Sequence, residues 1–142
     1  GGADVVDEIE RRVAAAPDRI DRGREISVEF LATHDPAVAV DFAPETARIK
    51  LNPGDLQLVS FVVENRSGEP IVTTAVPSVS PGEAARHLMK IECFCFQEQP
   101  LAPGERKVMP VQFYVDPELP ARFKNLTLSY RLYRSVGQTA SR

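Results

Sequence analysis

Tryptophan is absent from this sequence, and cysteine, methionine and histidine each occur only twice among its 142 residues. Two cysteines are too few for the disulfide framework that holds many small secreted domains together. Without Trp, the sequence also lacks the Cys-Trp-Cys core signature of antibody domains. It contains no run of about 18 apolar residues, so we predict no membrane-spanning segment within it, and it shows no recognisable signal peptide.

Basic residues are also in the minority. The 17 Lys and Arg residues against 20 Asp and Glu residues give a formal net charge of −3. Phosphate recognition needs a basic patch, so this balance argues against a nucleic-acid-binding protein. The sequence contains no G-x-S-x-G elbow, no P-loop and no H-E-x-x-H motif, which excludes several common enzyme classes.

The sequence does contain repeated alternation of apolar and polar residues, the period of a β-strand. The alternation is clearest in residues 123–133, where apolar residues occupy every second position from Leu126 onward. Residues 56–63 are nearly continuously apolar and predict a strand covered on both faces. Regular turn signals between such segments predict an all-β fold, an immunoglobulin-like β-sandwich of about seven to eight strands.

Proline and glycine positions refine this prediction. Pro77 interrupts a strand candidate and therefore predicts an edge position or a bulge. Residues 51–55 and 101–105 share the form Leu-x-Pro-Gly-acid, and an apolar strand candidate follows each. We interpret them as two similar turns that enter strands of the sandwich. A short helical turn is predicted over residues 83–86.

The chain divides into three parts by composition. Residues 1–22 are rich in charged residues and Ala, with apolar residues at helical spacing, and predict a helical or disordered segment beside the domain. Residues 23–135 form the predicted β domain. Residues 136–142 predict a disordered tail.

The most informative segment reads Cys93-Phe94-Cys95-Phe96. Side chains alternate between the two faces of a strand, so an extended segment directs both thiols to one side and both Phe rings to the other. Two Phe side chains on one face are most simply anchors in the core. The thiols then face solvent, a groove or a partner.

Three interpretations of the two thiols follow from the residues alone. Residues two apart on a strand are about 6.6 Å apart at Cα, with parallel Cβ vectors, so a disulfide between them would be strained. Free cysteines are often ordinary buried apolar residues. Two parallel thiolates also suit a soft metal ion such as Cu(I), which accepts low coordination numbers, whereas structural zinc needs four ligands.

Other sulfur and imidazole groups were weighed as further ligands. Met89 and His87 share strand parity with Cys93 and Cys95. We nevertheless predict that Met89 fills the core and that His87 is solvated near a turn. Met109 is predicted to lie in the core, and His34 is assigned no role.

The cysteine segment resembles a known signature. Residues 90–99 read KIECFCFQEQ, which is similar to the signature of the CtaG/Cox11 family of cytochrome c oxidase assembly proteins. The flanking stretches at residues 76–85, 101–117 and 126–130 also resemble this family. The similarity covers about residues 24–133.

This resemblance implies a function. It implies a copper chaperone, not an enzyme, in which Cys93 and Cys95 bind Cu(I) for delivery to the CuB site of cytochrome c oxidase subunit I. It implies an immunoglobulin-like domain on the periplasmic side of the inner membrane, or in the intermembrane space. The single-pass anchor helix of the full-length form is expected outside this chain.

The resemblance also implies partners, and two other functions were considered. The implied partners are oxidase subunit I, an upstream copper donor or thiol reductant, and a second copy in a copper-bridged homodimer. One alternative is a thiol-disulfide oxidoreductase that acts on periplasmic copper-site cysteines, which would need a cation or helix N-terminus to lower a thiol pKa. The other is an interaction module whose cysteines are incidental.

Overall fold

The structure is a computed structural model that describes residues 19–93 and 98–135. For residues 90–93 it describes the backbone only. Nine strands and one 3-10 helix form within these residues. They are β1 (Ile26–His34), β2 (Val40–Pro44), β3 (Arg48–Leu51), β4 (Gln57–Asn65), β5 (Ile71–Ser80), the 3-10 helix (Gly82–His87), β6 (Leu88–Cys93), β7 (Gln99–Leu101), β8 (Arg106–Val115) and β9 (Asn125–Arg134).

The strands form two sheets, which confirms the predicted all-β sandwich. One sheet has the order β3-β1-β9-β5-β7 and the other the order β2-β4-β8-β6. Neighbours are antiparallel except for β1 and β9, which run parallel. The described strands number nine, slightly more than the seven to eight predicted. The 3-10 helix confirms the predicted helical turn. The predictions for residues 1–18 and 136–142 lie outside the described residues.

The core lies between the sheets and is built by the predicted alternation. In β9 the buried residues are Leu126, Leu128, Tyr130 and Leu132, which alternate with half-buried or exposed ones. Phe61 is at the centre of the core, where its ring contacts Phe30 and Tyr130 edge to face. Burial raises the pKa of Tyr130 well above its usual range, because the charged phenolate would lose its solvation there. The Met109 prediction is confirmed, since that residue is buried.

The prediction that residues 56–63 are covered on both faces is wrong. Phe61 and Val63 are fully buried, but Leu58 is 70% exposed. The inner face of β4 packs against the other sheet, while no described element forms a layer over its outer face. A continuous apolar run therefore did not mean two-sided burial here.

Pro77 lies where the structure tolerates a missing backbone N–H. β5 pairs with β9 along Thr73–Ser80, whereas β7 pairs only with Ile71–Thr73. At Pro77 the second side of β5 therefore has no neighbour among the described strands, which confirms the predicted edge position. A proline there removes no bond from the sheet.

The two Leu-x-Pro-Gly turns adopt similar conformations. Gly54 has φ +91° and Gly104 has φ +76°, a region that residues with a Cβ rarely adopt. The first turn leads into β4 and the second into β8, and these two strands pair with each other. The prediction of two equivalent turns that enter strands is confirmed.

Gly54→Ala is expected to destabilise the domain much more than Gly104→Ala. A Cβ on Gly54 would lie 2.2 Å from the backbone oxygen of Arg19, whereas a Cβ on Gly104 meets no heavy atom within 4 Å. The positive φ alone costs about 1–2 kcal/mol for Ala at either site. We expect a loss of about 3 kcal/mol or more at Gly54, measured by urea denaturation. Equal losses for the two variants would contradict the proposed clash.

Candidate metal centre

The cysteine segment connects the edges of the two sheets. Cys93 is the last residue of β6, the edge strand of the four-stranded sheet, and its backbone pairs with Val111 of β8. β7 starts at Gln99 and forms the edge of the five-stranded sheet. The chain therefore passes from one layer of the sandwich to the other within the segment that contains Cys95.

Several sequence predictions lie outside the described residues. They are the shared direction of the Cys93 and Cys95 side chains, the core positions of Phe94 and Phe96, and the binding of Cu(I) by the two thiols. Each of them stays a prediction. What the structure defines is the backbone up to Cys93 and the chain from Glu98 onward.

An irregularity in β6 separates Met89 from the cysteines. Met89 pairs opposite Tyr114 and Cys93 opposite Val111, so four steps along β6 match three along β8, with the shift between Lys90 and Glu92. Such a bulge ends the parity that an uninterrupted strand would give Met89 and Cys93. Met89 is also 38% exposed, so the prediction that it fills the core is wrong. It lies near the start of β6, which is an edge strand of its sheet.

His87 is buried, so the prediction that it is solvated is wrong. Its Nδ1 lies 3.3 Å from Asp116 Oδ2, and Arg86 Nε donates to its Nε2 at 3.3 Å. This pattern requires Nδ1 to carry the ring proton and to donate it to the carboxylate. The Asp116 N–H also donates to the His87 carbonyl at 2.8 Å. The 3-10 helix thus folds His87 back onto the chain that follows β8, a contact that local sequence could not indicate.

His87 is too far from Cys93 to share a metal ion with it. His87 ends the 3-10 helix immediately before β6, and Cys93 ends β6 six positions later, which is roughly 20 Å of extended chain. His87 instead fixes the beginning of the strand that ends in Cys93.

The same aspartate affects a tyrosine of β8. Burial and the negative charge of the Asp116 carboxylate raise the pKa of Tyr114.

Sequence patterns did not indicate two polar residues that contact the chain downstream of the cysteines, namely Ser135 and Asn65. Ser135 Oγ donates to a carboxylate oxygen of Glu98, the first described residue after the segment. Asn65 is 1% exposed, and its amide donates to the carbonyls of Glu69, Leu101 and Ala102. No local sequence signal distinguishes Asn65 from the polar residues of an exposed turn.

Among the described side chains, those of residues 19–89 and 98–135, no group of three His, Cys, Asp or Glu could hold a metal ion. The same residues contain no helix with the length and apolar character that crossing a bilayer requires. The candidate centre therefore rests on the cysteine pair and on the fixed chain at each end of it.

Comparison with known proteins gives a consistent result. Residues 3–134 match the family described as "Cytochrome c oxidase assembly protein CtaG/Cox11". The chain is 40% identical over 119 residues to cytochrome c oxidase assembly protein CtaG of Rhizobium etli (strain CIAT 652), which covers 80% of this chain and 59% of that protein. It is 38% identical over 115 residues to CtaG of Paracoccus denitrificans (strain Pd 1222), covering 78% and 59%.

A mitochondrial protein is similar as well. The chain is 38% identical over 116 residues to the cytochrome c oxidase assembly protein COX11 of Arabidopsis thaliana, which covers 78% of this chain and 40% of that protein. The matched region thus spans between 40% and 59% of the length of these three relatives. The similarity extends across bacterial and mitochondrial proteins.

Proposed function

The chain belongs to the CtaG/Cox11 family of cytochrome c oxidase assembly proteins, and on this premise we propose that it is a copper chaperone. In this proposal Cys93 and Cys95 bind Cu(I) as thiolates and release it to the CuB site of oxidase subunit I. The observation that carries the proposal is a Cys-x-Cys pair whose first residue ends an edge strand, within a chain that matches the family over most of its length.

The chemistry of the pair supports this role. Cu(I) is a soft ion that prefers thiolate ligands and accepts low coordination numbers. Two thiolates leave coordination positions open, so a ligand of the target can enter before a ligand of the chaperone leaves. A second copy of the chain can fill the same positions, which would give a copper-bridged homodimer.

The proposal also includes a cellular setting. A chaperone for CuB works without turning over a substrate, so we propose that the protein is not an enzyme. We propose that the β domain lies on the periplasmic side of the inner membrane, anchored there in the full-length form. An upstream copper donor or thiol reductant would load the reduced pair.

Anaerobic titration of the reduced protein with Cu(I), in competition with a chromophoric chelator, tests the proposal. We expect one Cu(I) per pair of thiols, with native mass measurement resolving whether the loaded species is a monomer or a dimer. Transfer of the ion to a metal-free oxidase subunit I should follow. A reduced protein that leaves all Cu(I) on the chelator, or that oxidises partner thiols catalytically in metal-free buffer, would contradict the proposal.

A further inference from the structure

We infer that side chains distant in sequence position the downstream end of the cysteine segment and thereby raise the affinity of its two thiols for Cu(I). This inference rests on the proposed function. It starts from β7, which contains only Gln99–Leu101 and pairs with a single described neighbour, β5. So short an edge strand has few backbone hydrogen bonds to hold it in place, and β7 begins four positions after Cys95.

Side chains of other strands provide additional hydrogen bonds to β7. Each of the three backbone carbonyls of β7 accepts a hydrogen bond from a side chain on β4, β5 or β8. The donors are Thr73 Oγ1 to the Gln99 carbonyl at 3.3 Å, Lys107 Nζ to the Pro100 carbonyl at 3.0 Å, and Asn65 Nδ2 to the Leu101 carbonyl at 3.2 Å. Thr73 is fully buried, so its hydroxyl bonds where water does not compete.

The residue immediately before β7 is held in the same way. Ser135 Oγ donates to the Glu98 carboxylate. Ser135 is itself 8% exposed, and its backbone N–H donates to the Val72 carbonyl at 2.8 Å. It is therefore fixed to β5, and through Glu98 it holds the chain three positions after Cys95.

These contacts hold the chain just before and just after residues 94–97. Cys93 is paired to Val111 at the upstream end, and Glu98 is bonded to Ser135 at the downstream end. Only residues 94–97 lie between them. Ligands on a chain with fixed ends lose less conformational freedom when they bind an ion, so fixed ends raise affinity without adding a ligand. Thr73, Glu98 and Ser135 are thus positioning residues.

The double variant Thr73→Val with Ser135→Ala tests this inference. Val keeps the buried volume of Thr73, and both changes remove a hydroxyl donor while leaving both cysteines in place. We expect Cu(I) affinity to fall by about tenfold, with unchanged stoichiometry. Hydrogen exchange at the backbone amides of residues 94–98 should become faster. Thr74→Val, one position along β5, is the matched control.

Two further variants make the result decisive. Ser135→Thr keeps the hydroxyl and should keep both the affinity and the exchange pattern. Ser135→Ala alone, just beyond the last described strand, replaces the double variant if the latter does not fold. Wild-type affinity together with wild-type exchange in the variant that lacks the hydroxyls would overturn the inference.

The exchange readout also separates this inference from the proposed function. If the wild-type reduced protein binds no Cu(I), the proposed function fails. Faster exchange at residues 94–98 in the variant would still support the positioning role, and unchanged exchange would overturn it.

Discussion

Replacing both Cys93 and Cys95 with Ser is expected to abolish Cu(I) binding by the reduced protein. A hydroxyl is a hard and poorly ionised ligand at neutral pH, so Ser cannot replace a thiolate toward a soft ion. These are the only two cysteines in the chain, so no other thiol can compensate. The measurement is the copper retained after anaerobic loading and desalting, compared with the wild type. Each single Ser variant should retain copper weakly, because one thiolate remains.

Met89→Leu is the control for this experiment. Met89 offers the thioether closest in sequence to the cysteines, but it is exposed and out of register with Cys93. We expect this variant to bind Cu(I) as the wild type does. The double Ser variant should also stay folded, with a free energy of unfolding within about 1 kcal/mol of the wild type. Wild-type copper binding by the double Ser variant would refute the assignment of the ligands.

Phe61→Ala is expected to cause the largest loss of stability among single substitutions in the described core. Phe61 is fully buried in β4, and its ring centroid lies 4.9 Å from that of Tyr130 and 5.8 Å from that of Phe42. Removal of the ring leaves a cavity between the sheets and ends these aromatic contacts. We expect a decrease of about 4 kcal/mol in the free energy of unfolding, measured by urea denaturation at equilibrium.

Leu58→Ala is the matched control on the same strand. Leu58 is three positions before Phe61 but projects from the outer face of the sheet, where it is 70% exposed. Its truncation should cost less than about 1 kcal/mol. A similar loss for both variants would mean that the outer face of β4 is covered in solution, contrary to the exposure of Leu58.

Much of the fold could be predicted because it depends on local periodicity. The alternation in β9 predicted which residues are buried, since a strand with one face on a core repeats every two residues. The two Leu-x-Pro-Gly turns and the edge position of Pro77 were predictable for a similar reason, because the conformational limits of Gly and Pro act within a few residues. Residues 56–63 are apolar on both faces of the strand. The sequence could not show whether other elements cover one of these faces or both.

Less of the candidate site could be predicted, because its supporting contacts join residues far apart in sequence. The sequence predicted a solvated His87, whereas in the structure its ring contacts the Asp116 carboxylate in the interior. Nothing near Met89 indicated the bulge that takes it out of register with Cys93. Ser135 and Asn65 are ordinary polar residues in sequence, and their partners at Glu98 and Leu101 lie more than 30 positions away.

The sequence by itself determined the cysteine pair, its spacing and the family, because these depend on residue identity and order along one segment. It also determined that the chain folds as a β-sandwich, through the period of its apolar residues. Only the tertiary structure decided which strands lie at the sheet edges, which face of β4 is covered and which side chains hold β7. Those features depend on long-range packing and on hydrogen bonds between strands, and no local pattern encodes them.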